Sequence, residues 1–128
     1  MVPQRAARKT LSDASSTLPI RLCRFDELSA NSARGFDPDG TGADTIFVLC
    51  RGDAVRAFVN RCPHQGAALE YRKDHFLTRD GRHVMCHAHG ALFDPDTGKC
   101  ILGACQGQSL AVVPCWVDRG WVWIGATA

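Results

Sequence analysis

The chain has 128 residues and a formal net charge of +2, a length that suits one domain with one modest core and is too short for two. Its Lys and Arg residues are scattered, which leaves no basic footprint for nucleic acid. No run approaches the roughly 18 apolar residues of a membrane span.

Residues 1–19 start basic at Arg5, Arg8 and Lys9 and turn polar at Ser12, Asp13, Ser15 and Ser16, where a secretory signal would have its apolar run. The expectation is a disordered head on a soluble cytoplasmic protein. Beyond it, Ile20 and Leu22 alternate with Arg21, which predicts a strand over residues 20–23. Phe36 runs into Asp37, Pro38, Asp39 and Gly40. These are turn residues, because Pro fixes φ and Gly accepts positive φ. A β-branched and aromatic run over 45–50 and an alternating run over 55–60 flank Arg51, Gly52 and Asp53. They predict a hairpin that leads directly into Cys62.

From residue 62 to about 106 the character changes to Gly, Pro, His, Asp and Cys. Residues 75–78 and 83–86 flank Arg79, Asp80, Gly81 and Arg82 and read as a second hairpin. Residues 93–98 carry a strong turn signal. Residues 110–113 and 121–124 read as two last strands around Asp118, Arg119 and Gly120. No stretch has the period of a long amphipathic helix, and no repeat is present. The fold class is all-β, with a loop-rich insert between early and late strands.

Seven cysteines are many for an intracellular chain. An odd count fits a complete disulfide framework poorly, and Cys paired with His in a reducing compartment points to metal. Cys62, Pro63 and His64 are followed, after 21 intervening residues, by Cys86, His87, Ala88 and His89. Each segment offers one thiolate and one imidazole, spaced closely enough to converge on one site. Thiolates favour zinc or iron–sulfur, imidazole suits both, and a Cys2His2 zinc site would use the same four residues. His75 and His83 read as exposed hairpin residues, and His87 as a solvent-facing neighbour. Cys23, Cys50 and Cys115 read as small core residues. Trp116, Trp121 and Trp123 read as core and rim.

The two segments, with Gln65 and Gly66 after the first and Gly90, Phe93, Asp94 and Gly98 after the second, resemble the two cluster-binding loops of Rieske proteins. The resemblance covers roughly residues 20–126. It implies an antiparallel β-sandwich base with an inserted cluster-binding subdomain over about 62–106, in one domain spanning 20–128. It also implies one [2Fe–2S] cluster, with Cys62 and Cys86 on the buried iron and His64 and His89 on the iron nearer solvent. The gap between the loops is longer than usual for a Rieske ferredoxin, and the hairpin expected at 75–86 absorbs it. The third loop of the family commonly reads Gly-Pro-Ala. Here Gly103, Ala104 and Cys105 stand there, so two readings are open for Cys100 and Cys105: free thiols, or a local bridge that replaces the proline's stiffness.

Two imidazoles in place of two thiolates bring an oxidised cluster to about zero net charge and lift the potential into a window of roughly −150 to +300 mV. High-potential relatives place Ser and Tyr where this chain has Ala91 and Phe93, and a bridging Cys pair where it has Ala67 and Ala88. The resemblance therefore implies a low-potential ferredoxin, a one-electron carrier between a flavin reductase and an oxygenase or similar acceptor. The carrier is not expected to be an enzyme. An oxygenase needs a further domain with mononuclear iron held by two His and a carboxylate, and the chain ends at Ala128. The competing readings are a subunit similar to the small subunit of nitrite reductase, and a module whose cluster is structural or senses oxidant.

Overall fold

A computed structural model of the chain describes residues 19–63 and 66–125. The head expected over 1–19 lies outside them save for Pro19. Ten strands follow in chain order: β1 (Ile20–Arg24), β2 (Asn31–Phe36), β3 (Ile46–Arg51), β4 (Ala54–Val59), β5 (Val84–Cys86), β6 (Ala91–Phe93), β7 (Cys100–Leu102), β8 (Val112–Val113), β9 (Cys115–Asp118) and β10 (Trp121–Ile124). Apart from them, one turn of 3₁₀ helix at Phe25–Glu27 is the only helix among the described residues.

The strands form three antiparallel sheets, ordered β1-β10-β9, β2-β3-β4-β8 and β5-β6-β7. The second sheet is the middle layer. Ile46 to Cys50 are all buried, which explains their continuous apolar run: both faces of β3 are covered. Alternation divides the run. Ile46 and Val48, with Val55, Ala57 and Val113, pack on Cys23, Val122 and Ile124 of the first sheet. Phe47 and Leu49, with Phe58, pack on Leu69, Phe76, Val84, Cys86 and Phe93 of the insert. The Phe47 and Phe76 rings stack at 4.4 Å between centroids.

The β3–β4 hairpin is as expected, with Gly52 at φ 65° in a two-residue turn between the paired Arg51 and Ala54. β2 has no counterpart in the sequence reading. Its Asn31, Ser32 and Arg34 break any apolar pattern, yet all six residues pair with β3, and an edge strand accepts such polar faces. The final hairpin is corrected. Its arms are β9 and β10, turning at Arg119 (φ 53°) and Gly120 (φ 83°), whereas β8 joins β4 in the middle sheet. The hairpin at 75–86 is reduced to a Leu77–Val84 bridge. The Thr78 N–H donates to His83 O (2.9 Å) and the Met85 N–H to Phe76 O (2.8 Å). The real partner of β5 is β6, so the segment after the second ligand motif, not the one before it, completes the sheet.

Candidate metal centre

Two loops of the insert are built alike. In each, a glycine N–H donates to the carbonyl of a cysteine four residues earlier: Gly66 to Cys62 and Gly90 to Cys86, both at 2.7 Å. Both glycines sit at φ 75°, a left-handed conformation that costs other residues about 1–2 kcal/mol. The nearest atoms to a Cβ built on Gly66 belong to the Arg61 side chain, the first at 3.2 Å, and among the described residues none beyond the chain neighbours lies within 4 Å of one on Gly90. Among the protein's own atoms, turn geometry is thus what selects glycine here.

The loops bring three of the four expected ligands together. The ligand atoms of Cys62, Cys86 and His89 all lie within 4.8 Å of one another, and Cys86 Sγ is 3.8 Å from His89 Nδ1. His64, with Gln65, lies outside the described residues. Cys62 and Cys86 are buried in the apolar core that Phe47 and Leu49 face, whereas His89 is exposed. Burial pushes the Cys86 thiol up, and the N–H groups of Ala88 and His89, which donate to its sulfur, oppose that. Soft sulfur donors in a dry wall with an imidazole at the surface suit a thiolate–imidazole metal or cluster site.

Several groups around this site escaped the sequence reading. Asn60, a buried polar residue, lies two positions before Cys62. Its Oδ1 accepts the Leu69 N–H at 2.8 Å, and its Nδ2 donates to Asp44 O (2.9 Å) and Glu70 Oε1 (2.8 Å). Its only signal was a polar side chain ending an apolar alternation. His87 is corrected: it is half-buried against the Tyr71 ring, 4.7 Å between centroids, and its N–H donates to Leu69 O at 2.9 Å. His75 is exposed as expected, and His83 is half-buried.

The third loop, which has no proline, is braced by hydrogen bonds. The Gln108 N–H donates to Cys105 O (2.9 Å), and Gln106 Nε2 donates to Ile101 O (3.0 Å). A Cβ on Gly103 would lie 3.0 Å from Ala91 Cα, so glycine lets this loop lie on the start of β6. Cys100 and Cys105 are both buried and both free, which leaves the local bridge unformed. Burial, then the Cys100 thiol, push the Cys105 thiol up to about 12, and Cys62 adds to the effect.

A family model described as the Rieske [2Fe–2S] domain matches residues 19–116. No curated protein matches the chain. Among solved structures, the chain is similar to the ferredoxin of carbazole 1,9a-dioxygenase from Nocardioides aromaticivorans IC177, with 26% identity and a TM-score of 0.68 over 85% of this chain and 98% of that one. It is similar to the Sphingomonas yanoikuyae B1 ferredoxin, with 25% identity and a TM-score of 0.65 over 84% of this chain and 98% of that one. A chain in the complex of reduced oxygenase and oxidized ferredoxin in carbazole 1,9a-dioxygenase shares the fold, with 23% identity and a TM-score of 0.69 over 88% of this chain and 97% of that one.

Proposed function

The chain belongs to the Rieske [2Fe–2S] domain family, and from that premise we propose that it is a one-electron carrier between a flavin reductase and an oxygenase or similar acceptor. A [2Fe–2S] cluster bound by such a domain supplies uptake and release of single electrons. In this reading Cys62 and Cys86 hold one iron from the core side and His64 and His89 hold the other at the surface. Residues 62–106 are the cluster-binding subdomain of one domain spanning 20–128.

The observation that carries the reading is the convergence of Cys62, Cys86 and His89 within 4.8 Å, thiols buried and imidazole exposed. The buried side excludes water from the thiolates. His89, Ala88 and Ala68 are exposed and Ala67 and Leu92 half-buried, and in this reading they make up the small tip that a partner meets. Low-area redox encounters are brief and suit a shuttle. Two of the similar structures are named as ferredoxins and one as an oxygenase–ferredoxin complex, which supports a carrier that docks on an oxygenase. Among the described residues no helix is long and apolar enough to cross a membrane. All seven cysteines are free, as a reducing cytoplasm would keep them.

The test is composition and spectrum. Purified protein should be coloured and hold about two irons and two labile sulfides per chain. Cys62→Ala and Cys86→Ala should prevent stable assembly, because an iron loses an anionic ligand. His64→Cys and His89→Cys should keep a cluster and lower its potential by adding negative charge. A colourless protein with stoichiometric zinc after anaerobic preparation would overturn the reading, as would full cluster occupancy in Cys62→Ala.

A further inference from the structure

Tyr71 is the most exposed aromatic residue among those described, at 60%, yet three neighbours hold its ring. The His87 ring lies 4.7 Å away between centroids and the His75 ring 5.2 Å away, edge-on. The Arg72 guanidinium stands over it, with Cζ 5.3 Å from the centroid. His87 lies between Cys86 and His89 in the chain, so Tyr71 and Arg72 are tied to the second ligand loop. The hydrogen bonds here run in one direction. Arg72 Nε donates to His75 Nε2 at 3.1 Å. An imidazole that accepts at Nε2 carries its proton on Nδ1, and that N–H donates to Tyr71 Oη at 3.3 Å. The Tyr71 proton is left to be given outward. So are the four other N–H groups of the Arg72 guanidinium, which have no acceptor among the described residues.

The nearby carboxylates are engaged elsewhere. Glu70 accepts from Asn60 Nδ2, and Asp74 from the Gly35 N–H and Lys73 Nζ. Among the described residues no carboxylate pairs with Arg72 or with Arg61, and both are exposed. Arg61 immediately precedes Cys62, and its guanidinium lies against the first ligand loop, with Nε 3.2 Å from a Cβ built on Gly66. Each ligand loop thus has beside it one exposed guanidinium that no described carboxylate neutralises. We propose that Tyr71, Arg72 and Arg61 form a contact patch for a redox protein whose facing surface carries carboxylates. The inference deepens the electron-carrier reading and rests on it. The patch offers donors and positive charge, which fit anionic acceptors, and an arginine fork matches a carboxylate bidentately. Tyr and Arg are residue types that concentrate binding energy at contacts, and a ring already braced loses little freedom on docking. Charge beside the exposed His89 draws carboxylates to the face where the electron leaves.

The test reads charge at the centre with small redox ions. The full-length, cluster-loaded protein is reduced with dithionite, with iron and sulfide measured on each sample. Stopped flow then follows its oxidation by ferricyanide, an anion, and by tris(phenanthroline)cobalt(III), a cation. Each ion takes one electron from one centre. At low ionic strength Arg61→Gln and Arg72→Gln should each slow the anion and speed the cation by about three- to fivefold, the effect of one charge about 10 Å from a trivalent ion. Arg119→Asn removes a charge from the β9–β10 turn, across the middle sheet from the insert, and Asn tolerates positive φ. It should change either rate by no more than about 1.5-fold. Poly-L-glutamate should slow the ferricyanide reaction of the wild type. Tyr71→Phe and Arg72→Gln should raise the concentration needed for half-inhibition by about threefold.

A general disturbance of the centre moves both ions in the same direction, and that result overturns the proposal. So does a response in Arg61→Gln and Arg72→Gln no larger than in Arg119→Asn. Inhibition by a single-stranded oligonucleotide and none by poly-L-glutamate would assign the patch to phosphate and overturn it equally. Should Arg61→Gln not hold a cluster, Arg72→Gln decides by the same criteria. Each of these outcomes leaves the carrier reading standing, whereas a wild-type protein that binds no iron and sulfide would remove that reading and the patch with it.

Discussion

The middle sheet and the inserted sheet reach order by different means. β2–β3 and β3–β4 each pair six residues in unbroken register. β5–β6 pairs three, and β6–β7 pairs two with a register shift between them. Such short ladders are marginal alone. The insert makes up the difference with apolar contact on Phe47, Leu49 and Phe58 and with side-chain bonds to the base. Asn60 ties Leu69 and Glu70 to Asp44. Asp74 Oδ1 accepts the Gly35 N–H at 2.8 Å, and Lys73 Nζ donates to Gly35 O at 2.9 Å. Arg51 Nη1 donates to Gly81 O at 2.8 Å. The ligand geometry is thus held from the base through a few named groups, and the ladder of the insert contributes little.

The largest break in this comparison is Leu49→Ala. Leu49 is fully buried on the face of β3 that meets the insert, and its truncation should cost about 2–5 kcal/mol. Because β3 is the centre of the middle sheet, urea unfolding should remain one transition with a lower midpoint.

Asn60→Ala should come next, at about 2–3 kcal/mol, because it strips the partners from the Leu69 N–H and the Asp44 carbonyl. Here the loss should be local. Hydrogen exchange should rise in β5, β6 and the residues near Leu69 while the β3 and β4 amides stay protected. Equal loss of protection in both sheets would mean that the two regions form one cooperative unit.

Asp74 is a smaller latch with a pH signature. It holds φ at 67°. Burial pushes its carboxyl up, but the Gly35 N–H and the Lys73 ammonium outweigh this and hold it below the usual range. A lowered folded value means stability that is full above the ordinary carboxylate value of about 3.9 and is lost as pH falls through the lower, folded value. Lys73 runs the other way. Burial lowers its ammonium, yet Asp44 and Asp74 raise it on balance, so its share is full below about 10.4 and is lost as pH rises above that. Asp74→Asn keeps an acceptor for Gly35 and tolerates positive φ, so at pH 7 it should cost only about 0.5 kcal/mol, the worth of a screened surface pair. Asp74→Ala should cost about 1–2 kcal/mol. Thermal melts from pH 7 to pH 3 should bring the Asn variant and the wild type together at the acid end.

What was legible in the sequence follows from how each region is ordered. The run at 45–50 announced β3 because burial on two faces leaves only apolar residues, and the run at 55–60 announced β4 because its exposed Arg56 alternates with the buried Val55 and Ala57. The ligand loops were legible because turn glycines and soft ligands allow few substitutes, and Cys62, Cys86 and His89 do converge. β2, β6, β7 and β9 were not read. β2 takes its order from β3, and three-residue strands such as β6 are too short to show a period. Asn60, Lys73 and Asp74 were invisible for a related reason. Each acts on a partner at least nine residues away in sequence, and no local pattern marks such a bond.

The smallest expected effect sharpens the comparison by touching function within the insert and leaving the base alone. Ala91 and Phe93 lie in the core with Cys62 and Cys86, and neither carries a hydroxyl. The wild-type midpoint should therefore fall low in the Rieske window, below roughly 0 mV. Ala91→Ser adds a donor with little new volume. Its room is limited on one side, since a Cβ on Gly103 would already lie 3.1 Å from Ala91 Cβ, so the new oxygen must take a rotamer that points away from Gly103. Phe93→Tyr places its hydroxyl at the end of a fully buried ring, where it must find an acceptor or cost about 1–3 kcal/mol. A donor worth about 1 kcal/mol more to the reduced state than to the oxidised one should raise the midpoint by about 40 mV for one electron. Urea unfolding should separate the two variants. Ala91→Ser should shift the potential with stability nearly unchanged, and Phe93→Tyr should shift it at some cost to the insert. A wild-type midpoint well above about +150 mV, in the upper part of that window, or no rise in either variant, would show that the absent hydroxyls do not set the potential.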